Sequence, residues 1–204
     1  MSAFLGPIHY WLYNKIKLQH EIVEEIFQIG EKHGLSLREE CTQAYGSLEN
    51  KPLEEMIDLS NIHGWLQDKV SLVEYQYAYS ITKLLKEKPE TIDEIKQILS
   101  NKGKKLAETL ANQEPNAQKI YQVISDNLLD GMPCDHAYSI LSQGENDITL
   151  RRNQCVHQNY WDEVGGQIEV YYELRDAWIN GLVNEFGFIY KKLDDTTLNI
   201  SKEV

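Results

Sequence analysis

Histidine, tryptophan and cysteine are scarce in this chain, at 6, 4 and 3 residues of 204, and most of them fall into two repeated patterns. The stretch from Ile8 to Ile16, IHYWLYNKI, is echoed from Ile62 to Val70 by IHGWLQDKV. Five of the nine positions are identical, among them His9 and His63, Trp11 and Trp65. Imidazole ligates transition metals and haem and carries protons near neutral pH, so a repeated histidine is the first place to look for chemistry. Each copy opens a stretch with helical periodicity. Two such helices, packed antiparallel or related by a pseudo-two-fold, would bring His9 and His63 toward one cavity. Trp11 and Trp65, two positions on, would point elsewhere on the helix and wall the core or the ring of a cofactor. The bland alternative is that each histidine bonds a backbone group at a helix start and each Trp-Leu pair is packing.

Cys134-Asp135-His136 and Cys155-Val156-His157 form the second pattern, Cys-x-His twice. Thiolate and imidazole are favoured ligands of Zn²⁺ and of iron. On a helix, positions i and i+2 lie about 200° apart, whereas on a strand they share a face. The stretch from Ile148 to His157 reads as extended, which would aim Cys155 and His157 the same way. Pro133 as the first residue of a short helix through Leu141 would put Cys134 in its first turn, where unpaired amides favour a thiolate, and turn His136 away. The spacing matches no common zinc signature. The candidate ligand set is therefore His9, His63, Cys134, His136, Cys155 and His157, holding Zn or Fe. Haem clamped between His9 and His63, with Trp11, Trp65, Tyr75, Tyr79 and Trp178 about the ring, is the other form of that reading. Covalent haem is excluded, since no Cys-x-x-Cys-His occurs. Cys41 stands apart and reads as structural.

Two readings of other classes stand beside the metal- or haem-binding protein. Cys134 is the candidate nucleophile of a cysteine-dependent enzyme, with His157 or His63 as base and Arg151-Arg152 holding a small anionic substrate. Or the chain is a helical interaction or regulatory domain without a cofactor, whose aromatic-rich helices bury a stripe in a homodimer. A di-iron bundle is disfavoured, because Glu-x-x-His is missing and His20 with Glu24 falls on a solvent face. Neither a phosphate-binding glycine loop nor a Gly-x-Ser-x-Gly elbow is present.

Charge narrows the partners. A net charge of -12 and a pI near 4.9 oppose nucleic acid and anionic membrane surfaces, both of which need clustered Lys and Arg. No window approaches the ~18 apolar residues of a membrane span, the N-terminal stretch lacks a basic leader, and three cysteines are too few for a disulfide framework. A reduced, cytoplasmic protein is expected.

The elements that must position these residues are mostly helices. Apolar spacings of three and four run from Ile8 to Ile29, stopping before Gly34, and from Ile62 to Lys86, ended by Pro89. Shorter helical stretches are expected over Pro52–Leu59, Asp93–Leu110 (with Thr91 and Glu94 as a capping box), Pro115–Leu129 and Ile168–Phe186. Turns at 130–133 and 143–147 change the character of the chain. The expectation is a mainly α fold, a bundle of about five to seven helices, with a small β element near residues 148–157 and 188–200. One domain is expected over 1–204, helical to about 129 and mixed beyond.

Overall fold

The fold is that of a computed structural model, which describes residues 4–110 and 115–203. Among these residues the elements follow in the order α1 (Pro7–Lys32), α2 (Leu37–Tyr45), α3 (Leu53–Met56), α4 (Ile62–Glu87), α5 (Ile92–Thr109), α6 (Ala117–Asn127), β1 (Tyr138–Gln143), β2 (Asp147–Arg152), α7 (Gln158–Glu163), α8 (Ile168–Asn184), β3 (Phe188–Lys192) and β4 (Thr197–Lys202). Single 3₁₀ turns lie at Pro89–Thr91 and Pro133–Asp135. The chain is mainly helical with one small four-stranded sheet, the architecture its periodicity implies. No helix among the described residues is long and apolar enough to cross a membrane.

The chain divides into two compact units, each gathered from separate stretches: Met1–Thr91, Asp126–Asp135 and His157–Gln167 in the first, Ile92–Ser125, His136–Val156 and Ile168–Val204 in the second. The first is built on α1 and α4. α1 begins behind Gly6 with Pro7 at its first position, where a missing N–H costs nothing, and ends at Gly34, whose φ of 77° suits a residue without Cβ. Leu12, Ile16, Leu66, Val70 and Val73 interlock between the two helices, joined by Leu48, Leu53 and Ile57 from the connection and by Leu129. α2 packs on α4 through Cys41, which lies beside Ser80, and through Glu40, bonded by Tyr79. It runs antiparallel to both long helices, so α1 and α4 run the same way rather than antiparallel. The physical reason is that α2 and the α3 connection carry the chain back before α4 begins.

The second unit pairs α5 with α8 and sets a sheet of order β1-β2-β4-β3, antiparallel throughout, beside them. Ile148 lies opposite Ile200 and Leu150 opposite Leu198, all buried, so the inner pair of strands supplies the apolar face. α5 and α8 approach at glycines: a Cβ on Gly103 would sit 2.1 Å from the Trp178 carbonyl oxygen, and one on Gly181 2.1 Å from that of Ser100.

Several local expectations are corrected. The helix from Pro133 to Leu141 is a three-residue 3₁₀ turn followed by β1. The extended stretch stops at Arg152, short of Cys155 and His157. Asn153 ends the ladder there: its N–H donates to the Ala137 carbonyl and its side-chain amide to that of His136. The stretch Pro52–Leu59 is helical only from Leu53 to Met56. Thr91 donates its hydroxyl to the Lys88 carbonyl inside a 3₁₀ turn rather than accepting from an α5 amide.

Candidate functional site

The two copies of the repeat lie side by side in the first unit. His9 and His63 stand at the starts of α1 and α4, and their rings are 5.8 Å apart, inclined at 57°. Most of the other shared residues are consumed by packing. Leu12, Leu66, Ile16 and Val70 are core. In each copy the lysine four positions after the tryptophan sits over its ring, Lys15 Nζ 4.2 Å from Trp11 and Lys69 Nζ 5.3 Å from Trp65. Trp11 donates from Nε1 to Asp126 at 2.8 Å, and Trp65 lies against Tyr13 at 6.0 Å. Both indoles flank the apolar cluster. Packing therefore accounts for the shared tryptophan, leucine and lysine, while Ile8 is 49% exposed where its counterpart Ile62 is buried.

His9 is 5% exposed, while His63 is exposed. The Gly6 amide donates to His9 Nδ1 at 2.9 Å. An amide can only donate, so Nδ1 is an acceptor and the neutral ring carries its proton on Nε2. No partner among the described residues takes that Nε2–H. Metal-ligating histidines usually show the reverse polarity, the second nitrogen donating to a carbonyl or carboxylate while the first keeps its lone pair for the ion. Here the ring offers a donor. The positive ends of two long helices point the same way at this place, which favours negative charge. Among the described residues no group of three or more His, Cys, Asp or Glu side chains is placed to hold a metal ion.

Comparison of the chain with protein-family models finds no match, and comparisons with curated proteins and with solved structures find none either.

The Cys-x-His motifs are each divided between the two units, Cys134 and His157 falling in the first, His136 and Cys155 in the second. Cys134 is exposed in its 3₁₀ turn, and His136 follows at the unusual φ of 50°, its carbonyl held by Asn153. Cys155 accepts a hydrogen bond from the Tyr172 hydroxyl at 3.1 Å, and the Arg152 guanidinium lies 4.0 Å above the Tyr172 ring. His157 is at the start of α7, not on a strand with Cys155. Cys41 is buried 3.3 Å from the Ser80 hydroxyl; burial pushes its thiol up to about 11, in keeping with a structural role.

His157 sits in the most heavily charged interior of the first unit. Its Nδ1 is 3.0 Å from Glu74 Oε2 and its Nε2 is 3.6 Å from Asp130 Oδ1. His157 and Glu74 are each 2% exposed and Asp130 15%. Burial opposes protonation, yet the Glu74 and Asp130 carboxylates outweigh it and hold the imidazole up at about 9. With a carboxylate facing each nitrogen, the ring presents no lone pair to a metal or to a thiol. Glu74 was not singled out from the sequence. Its signal was available: it lies on the apolar stripe of α4 with Val70, Val73, Tyr77 and Ile81, where an unpaired carboxylate would be costly. Elsewhere around α4, Tyr75 donates to Glu163, Tyr79 to Glu40, and Tyr160 shares a hydrogen bond with Ser71.

Proposed function

We propose that the chain binds a small anionic molecule, bearing a carboxylate or phosphate group, at the joined starts of α1 and α4. The observation that carries this reading is the pair of histidine rings 5.8 Å apart in a repeat whose shared tryptophan, leucine and lysine are consumed by packing. His9 supports it further: with Nδ1 accepting from the Gly6 amide, the Nε2–H of this nearly buried ring is the group left to donate to an arriving acceptor. His63, at the second position of α4, supplies the exposed half of the clamp. A transition metal held by the same pair is the competing reading, which the donor polarity of His9 disfavours. The three free thiols suit a reducing compartment such as the cytoplasm.

Titration calorimetry with inorganic phosphate, with a small dicarboxylate and with Zn²⁺, on the unaltered chain and on His63→Ala, separates these readings. Saturable binding of an anion that weakens about 10-fold or more in His63→Ala supports the proposal, since a hydrogen bond to a charged group is worth ~1.5–3 kcal/mol. Saturable Zn²⁺ binding lost in the same variant assigns the pair to a metal. Binding of neither, or anion binding that His63→Ala leaves unchanged, overturns it. His9→Ala is the second variant, with circular dichroism alongside because it also removes the Gly6 cap.

A further inference from the structure

The two edges of the sheet in the second unit are unlike. Among the described residues β3 pairs with β4 alone, and its exposed end carries Lys191 and Lys192, the charges with which proteins usually guard an open edge. Among the described residues β1 pairs with β2 alone, yet Tyr138-Ser139-Ile140-Leu141-Ser142-Gln143 carries no charge in a chain of net -12. Its pairing with β2 passes from Ile140 opposite Leu150 to Ser142 opposite Thr149, so Leu141 is the extra residue of a bulge. Ile140 and Leu141 are 46% and 54% exposed, adjacent apolar side chains at the middle of a strand. A bulge commonly blunts an edge; this one also sets two aliphatic groups at its centre.

The order of residues along β1 says what fits there. Strands from two copies, antiparallel about a two-fold between Ile140 and Leu141, place Ile140 against Leu141, Ser139 against Ser142 and Tyr138 against Gln143. Apolar meets apolar and hydroxyl meets hydroxyl, which is the self-complementarity a two-fold interface requires. The absence of charge matters equally, because an uncharged edge adds no local like-charge repulsion when two acidic molecules meet there. We propose that β1 is a self-association edge, joining two copies of this chain into a continuous eight-stranded sheet.

Six residues a side fall short of the ~800 Å² per partner of a standard stable interface, so the association is concentration-dependent. Added salt should strengthen it by screening the repulsion between two acidic molecules. Sedimentation velocity on the full chain, at rising protein concentration and at low and high salt, tests it. The expected result is a monomer–dimer equilibrium shifted toward dimer by salt. Leu141→Lys, an exposed bulge position that folding does not depend on, should abolish the dimer, and Ile140→Lys should do the same. Leu193→Lys, in the β3–β4 turn and 58% exposed, should leave it intact. A monomer at every concentration and salt, or a dimer that persists in both β1 variants, overturns the proposal. A dimer lost equally in Leu193→Lys assigns the contact to another surface and also overturns it.

Discussion

Replacing His157 by glutamine takes the positive charge from a buried group that faces two carboxylates, and its effect on stability can be worked from the structure. The imidazole is 2% exposed, 3.0 Å from Glu74 and 3.6 Å from Asp130, and is held at about 9 against an ordinary 6.5. At ~1.4 kcal/mol per pH unit, that difference favours the folded, protonated state by about 3 kcal/mol. A raised histidine contributes this in full below the unfolded value of 6.5 and loses it as pH rises through about 9. Urea denaturation followed by circular dichroism, from about pH 6 to about pH 10, should therefore show the unaltered chain losing stability across that window. His157→Gln should be weaker by about 3–5 kcal/mol near neutrality, because the Glu74 carboxylate, whose Oε1 has no hydrogen-bond partner among the described residues, is then buried and uncompensated. The gap should narrow toward high pH, as the unaltered chain loses its own charge. Tyrosine, lysine and the Cys41 thiol titrate in both proteins, so the difference between the two curves isolates His157. A gap that stays constant across the range, or one below about 1 kcal/mol near neutrality, would refute the reasoning. Removing both charges, in Glu74→Leu with His157→Leu, should cost less than His157→Gln alone.

Two further outcomes follow from packing. Gly103→Ala and Gly181→Ala should each destabilise the chain by about 1–3 kcal/mol or more in thermal or urea unfolding, since the added methyl meets backbone rather than a movable side chain. Iodoacetamide near neutral pH should label exposed Cys134 first, with Cys41 labelled only on unfolding, because burial both hides its thiol and raises it to about 11. Mass spectrometry of the labelled peptides reads the order directly.

Helix boundaries with strong local signals were legible. α1, α4, α5 and α8 begin and end close to where apolar periodicity, Pro89 and Gly34 place them. The small β element near residues 188–200 was legible too, and is β3 and β4. α2 was not: its buried residues are only Leu37 and Cys41, one turn apart, too few to show a stripe. β1 was read as helix because Pro133 suits a helix start as well as a 3₁₀ turn, and no local signal says which follows. The candidate residues divide similarly. The repeat pointed to His9 and His63 meeting, whereas Cys155-Val156-His157 pointed to a shared strand face that is not there, because β2 ends at Arg152.

What the sequence by itself determined is the helical class and the acidity, since both depend on residue type and short-range spacing; it marked His9 and His63 as a repeated pair without placing them together. The tertiary structure alone decided that α1 and α4 run parallel, which turns both histidines and both positive helix ends to one place. It alone decided that His157 belongs with Glu74 and Asp130, residues 83 and 27 positions away along the chain (157 minus 74, and 157 minus 130). The reason is physical: a buried charge is tolerable only beside its counter-charge, and which carboxylates arrive there depends on how distant segments pack rather than on anything local to the histidine.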